Sequence, residues 1–62
     1  MYVMQLINQL PEAQRKIMHM RDVEEIEIVE IAEVMNMTQN AVAENLSRAR
    51  AKIRNQLLTE LR

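Results

Sequence analysis

Apolar residues recur at helical spacing along most of the chain. Ile28, Ile31, Ala32 and Met35 stand at i, i+3, i+4 and i+7, the spacing of one apolar helix face. The pattern breaks at Asn36-Met37-Thr38. Asparagine tolerates the left-handed conformation that ends a helix. Thr38 then offers a side-chain oxygen to the free N–H groups of the next helix. Beyond it, Leu46, Ala49, Ile53 and Leu57 fall within about 60° of Val42 on a helical wheel. The pattern therefore predicts a short helix, a three-residue turn and a long helix, ending near Leu57. That spacing is a helix-turn-helix, whose second helix has the shape to enter a DNA major groove.

The first half reads as two further helices. Val3, Leu6, Ile7 and Leu10 line one side of a helix over residues 1–9. Pro11 suits the first turn of a second helix, where its missing N–H costs nothing. Glu12 is favourable near a helix N-terminus. This second helix is expected to run to about Arg21, with Ala13, Ile17 and Met20 facing inward and His19 facing solvent. Asp22 to Glu27 reads as a solvated acidic loop, with a contact surface for a basic partner as the alternative. Glu27 is a weaker cap than Ser or Asp, so the third helix has a soft start. The expected fold is all-α: one small four-helix domain over residues 1–62, winged-helix-like without a wing, ending in the helix-turn-helix.

Composition agrees with this pattern. The 62 residues include no glycine, one proline and no cysteine, so neither a disulfide nor a thiolate metal site is available. Tyr2 is the one aromatic residue and six methionines supply adaptable filler, which makes the core aliphatic. No apolar run approaches the roughly 20 residues of a membrane span, and no basic segment precedes an apolar run as in a signal peptide. The expectation is a soluble cytoplasmic protein with no membrane partner. There is no nucleophile–base pair, metal cluster or phosphate loop, so neither an enzyme nor a cofactor is expected. A lone His19 without Cys or a second His is a poor metal ligand.

The net charge of −1 conceals an asymmetry. Residues 1–31 carry Arg15, Lys16 and Arg21 against Glu12, Asp22, Glu24, Glu25, Glu27 and Glu30. Residues 32–62 carry Arg48, Arg50, Lys52, Arg54 and Arg62 against Glu33, Glu44 and Glu60. The positive charge is concentrated on the long helix, which favours a polyanion partner. Opposite the apolar stripe of that helix lie Asn40, Glu44, Ser47 and Ala51. One flank carries Gln39, Ala43, Arg50 and Arg54; the other carries Ala41, Arg48 and Lys52. Polar side chains near the start of such a helix can reach base edges, and the flanking cations can reach both phosphate backbones. The free N–H groups around Thr38 and Gln39 offer a further phosphate contact. The bland alternative is a surface helix laced with Arg and Lys for solubility.

Several segments together resemble a known family. They are Leu10-Pro11 with Arg15; Glu30-Ile31-Ala32 followed by Val34-Met35-Asn36-Met37; Asn40-Ala41-Val42; and Leu46 to Arg54, whose Ser47-Arg48-Ala49-Arg50 is the most specific piece. In this order and spacing, over about residues 6–58, the chain resembles region 4 of the extracytoplasmic-function sigma factors of bacterial RNA polymerase. The resemblance implies promoter DNA binding at the minus-35 element in transcription initiation. It also implies docking on the beta-subunit flap of the polymerase core, and masking by an anti-sigma protein. Residues matching the family's base- and phosphate-contacting segment are Thr38, Gln39, Asn40, Ala43, Glu44, Ser47 and Arg48, beside the flanking cations Arg50, Lys52 and Arg54. The chain departs from the family's pattern in four places. Glu25 stands where a glycine is usual, Ala41 where a threonine is frequent, and Ala43 where Lys or Arg is common. Glu44 puts a carboxylate on the groove-facing strip, where it can accept from a cytosine amino group but repels phosphate. The family's region 2 lies outside the resemblance, so the chain is expected to be either a fragment or an isolated region-4-like protein. The alternatives are another helix-turn-helix regulator, such as the DNA-binding end of a response regulator, and a helical module that binds polymerase or an anti-sigma protein without touching DNA.

Overall fold

The computed structural model describes residues 2–60, with side-chain surroundings from residue 5 onward. The inward placement of Val3 and the terminal cation Arg62 lie outside the described side chains. Among the described residues there are four α-helices and no strand: α1 (Tyr2–Asn8), α2 (Glu12–Met18), α3 (Ile28–Met35) and α4 (Gln39–Glu60). The all-α expectation holds.

Each boundary follows from local chemistry. The α1 helix tightens at its end, where the Gln9 N–H donates to the Leu6 carbonyl and the Leu10 N–H to the Ile7 carbonyl, both at 3.1 Å. Pro11 cannot continue it. Pro11 instead caps α2 from outside the helix, with φ −51° and ψ 148°, and its carbonyl accepts from the Arg15 N–H at 2.9 Å. It therefore sits one position ahead of the first turn. On α2, Lys16 Nζ pairs with Glu12 Oε1 at 2.9 Å. That hydrogen bond, with the charges of Lys16 and Arg15, holds the Glu12 carboxyl below its usual range.

From Asp22 to Glu27 the connection after α2 is solvent-exposed except at Ile26, as expected, but its first part is helical and not a loop. The helix runs on into a wider π-helical turn, His19–Val23, so Asp22 and Val23 belong to helical structure. The Glu24 N–H closes that turn on the His19 carbonyl at 3.1 Å, and Nδ1 of His19 lies 2.8 Å from Oε2 of Glu24. Glu25 then adopts φ 57°, the left-handed region. That reversal lets the Ile26 N–H donate to the Met20 carbonyl at 2.9 Å and packs Ile26 against the core. Arg21 Nη1 donates to the Ile26 carbonyl at 3.2 Å. Backbone and side-chain hydrogen bonds thus tie Glu24 and Ile26 back to the preceding turn.

The helix-turn-helix matches its sequence signals closely. Glu27 makes no side-chain cap bond at the start of α3. At its end Asn36 takes the left-handed conformation, φ 55° and ψ 49°. The Met37 N–H reaches back to the Ala32 carbonyl at 2.9 Å and the Asn36 N–H to the Glu33 carbonyl at 3.3 Å. This pair of bonds is the Schellman helix stop. Thr38 Oγ1 accepts from the Ala41 N–H at 3.1 Å and so caps α4.

One stripe of α4 serves two clusters. Val42 and Leu46 pack with Ile17 of α2 and with Ile31 and Ala32 of α3. Ala49 and Ile53 pack with Leu6 and Leu10, and Leu57 is half-buried at the edge of this second cluster. Met18 touches both clusters. Its position explains a correction on α2: Ala13 is exposed, whereas Gln14 and Met18 are half-buried beside fully buried Ile17. The buried face is centred between Ile17 and Met18 because α2 covers α1's cluster as well as α3's. No helix among the described residues is long and apolar enough to cross a membrane.

Candidate nucleic-acid interface

Burial of Val42, Leu46, Ala49 and Ile53 fixes the rotation of α4 about its axis. The opposite strip must then face outward. Thr38, Gln39, Asn40, Ala43, Glu44, Ser47 and Arg48 are all exposed, and they span the first turns of the helix. Ala51 is half-buried. Arg50, Lys52 and Arg54 are exposed farther along. Each of the sequence-assigned residues is therefore accessible, on the outward strip or on one of its two flanks. No buried side-chain N or O lacks a hydrogen-bond partner among the described residues.

The electrostatics of this surface are less simple than its sequence. Arg48 Nη2 pairs with Glu44 Oε1 one turn back on the same helix, both side chains being well exposed. Arg50 is held by Asp22 of the π-helical turn, in a contact between residues 28 positions apart. Among the described residues, ion pairs occupy Arg48 and Arg50 but neither Lys52 nor Arg54. On the Arg50 side, α4 meets the start of α3 in a shallow depression of about 370 Å³, lined by Ile28, Ala43, Leu46, Ser47, Arg50 and Arg54.

A second surface lies elsewhere. A groove of about 550 Å³ has Ile7, Met20, Val34 and Met35 among its apolar lining, with Arg15 and Lys16 also bordering it. No α4 residue lines it. Val34, which is 68% exposed, is the one sequence-visible sign of this groove, as an apolar residue off the buried face of α3. Nothing in the sequence pattern marks Asp22 as a partner of the long helix. Among the described residues no group of His, Cys, Asp and Glu is arranged to hold a metal ion.

Neither the curated proteins nor the solved structures yield a significant match to this chain. A family model described as Sigma-70, region 4, matches residues 1–53, which takes in all of α1 to α3, the turn and the buried stripe of α4 as far as Ile53. The chain belongs to the sigma-70 region 4 family, the helix-turn-helix DNA-binding part of sigma factors in bacterial transcription initiation.

Proposed function

We propose that residues 1–62 form one region 4 unit of an extracytoplasmic-function sigma factor, and that α4 reads the minus-35 promoter element. One observation carries this reading. The Asn36 stop, the Thr38 cap and the buried stripe of α4 together leave Asn40, Glu44 and Ser47 on an outward strip, with exposed Gln39 and Ala43 on one flank and exposed Arg48 on the other. In the groove, Gln39 and Asn40 have the donors and acceptors to read adenine, and Glu44 can accept from a cytosine amino group. Ala43 and Ser47 leave room for close approach of the helix. Arg48, Arg50, Lys52 and Arg54, with the helix-start N–H groups at Thr38, take the phosphates.

The polymerase core is the second partner. The groove bordered by Arg15, Lys16, Met20 and Val34 is the seat of the beta-subunit flap, its apolar floor and adaptable methionines suiting an apolar helix tip. A flap seated there leaves α4 free for DNA, because the groove contains no α4 residue. An anti-sigma protein that covers both surfaces would silence the domain. Polymerase and promoter place the activity in the cytoplasm, and no metal or cofactor is invoked.

The deciding experiment is fluorescence anisotropy of the 62-residue chain against a minus-35 duplex and a scrambled duplex, over a salt series. The expected result is binding around micromolar at physiological salt with the promoter duplex preferred, occupancy in the cell coming from tethering to region 2 and polymerase. Equal binding to both duplexes would remove promoter reading. The ion pairs on Arg48 and Arg50 favour a second reading, a module that docks on polymerase without touching DNA. Flap binding without any promoter footprint would select it.

A further inference from the structure

The acidic connection reaches the DNA-facing helix through one residue. Arg50 Nε–H donates to Asp22 Oδ2 at 3.4 Å, and Arg50 Nη2 pairs with the other oxygen, Oδ1. This two-point arrangement is the one an arginine also offers to a phosphate. The pair stands at the surface, with side chains 50% and 36% exposed for Arg50 and Asp22. A DNA backbone can therefore reach it. Yet the pair has no net charge. A phosphate drawn to Arg50 also meets the Asp22 carboxylate, and neutralising a cation that is already neutralised gains little from counterion release. Asp22 is held in place as well. The Glu24 N–H closes its turn on His19, and Arg21 ties the far end to the Ile26 carbonyl. The Glu44–Arg48 pair differs, because both partners ride on α4.

Resting on the reading of α4 as the DNA-facing helix, we propose that Asp22 is an internal stand-in for a backbone phosphate. It cancels Arg50 in the free domain, and DNA competes with it for that guanidinium. The acidic turn thereby holds down the intrinsic DNA affinity of the domain and leaves selection of promoters to the assembled polymerase.

Asp22→Asn tests this, because it keeps the shape of the side chain and removes its charge. Binding of the whole chain is measured on a random-sequence DNA duplex and on a minus-35 duplex, with circular dichroism to confirm folding. The expected gain for Asp22→Asn is about two- to five-fold in affinity on both duplexes at low salt, the scale of one exposed ion pair. The slope of log affinity against log salt should steepen by about 0.9, one phosphate contact. In an Arg50→Ala background, Asp22→Asn should change nothing. Unchanged or weaker binding by Asp22→Asn, or an equal gain without Arg50, overturns the proposal. A gain on both duplexes with no preference between them keeps the proposal and removes promoter reading alone. If Asp22→Asn does not fold, NMR of the unmodified chain decides. The Arg50 Nε–H resonance should shift as DNA displaces Asp22, and an unmoved resonance at saturating DNA overturns the idea.

Discussion

Glu25 is the residue where the backbone asks for something its side chain opposes, and replacing it with glycine should stabilise the domain. Its φ of 57° puts Cβ close to the following carbonyl oxygen. For an ordinary L-residue that conformation costs about 1–2 kcal/mol. Glycine has no Cβ and removes the clash, but its freer unfolded chain returns about 0.5–1 kcal/mol of the gain. The net stabilisation of Glu25→Gly should be about 0.5–1 kcal/mol, or roughly 2–8 °C in melting temperature for a domain of this size. Thermal unfolding by circular dichroism reads it directly. Glu25→Ala is the control: it removes the same carboxylate from the acidic segment while keeping Cβ. If alanine stabilised the chain as much as glycine, the gain would be electrostatic and the strain argument at Glu25 would be wrong.

Other substitutions probe the core, the cap and the interface. Leu46→Ala removes a 5% exposed side chain where α2, α3 and α4 meet, and should cost about 2–5 kcal/mol in chemical denaturation. A domain of this size holds little more than that, so an unchanged midpoint would mean α4 is turned the wrong way. Thr38→Ala loses the bond to the Ala41 N–H and should cost about 1 kcal/mol in the same assay. Lys52→Ala and Arg54→Ala should each flatten the salt dependence of DNA binding by roughly one unit of slope per lost phosphate contact, without changing sequence preference. Because Lys16 and Arg15 depress the Glu12 carboxyl, its stabilising contribution is present above the ordinary carboxylate pKa and is lost as pH falls through the lowered value. Lys16→Ala should shrink that acid-side loss, read as melting temperature against pH.

The helix-turn-helix was legible in the sequence because its punctuation is local. Asn36 and Thr38 act on backbone groups within a few residues of themselves, so residue type alone locates the stop and the cap. The α4 stripe was legible for a similar reason: its period is regular over twelve positions from Val42 to Ile53, and each of its members is buried. The phase of α2 was harder to see. Seven residues give too short a pattern to distinguish a face centred on Ala13 and Ile17 from one centred on Ile17 and Met18, and only the packing of α1 decides. The π-helical turn left no periodic signature, although Glu25 at a glycine position of the resembled family did mark the strained residue. The Asp22–Arg50 pair depends on where the turn lands against α4, so no spacing rule could reveal it.

Selection from a random duplex library shows whether the outward strip of α4 reads DNA sequence. The whole chain and its Glu44→Ala variant would each be carried through selection and sequencing. The unmodified chain should enrich a single motif, and Glu44→Ala should lose preference at one cytosine-bearing position while the rest of the motif persists. Enrichment of no motif, or of an identical motif by both proteins, would contradict it.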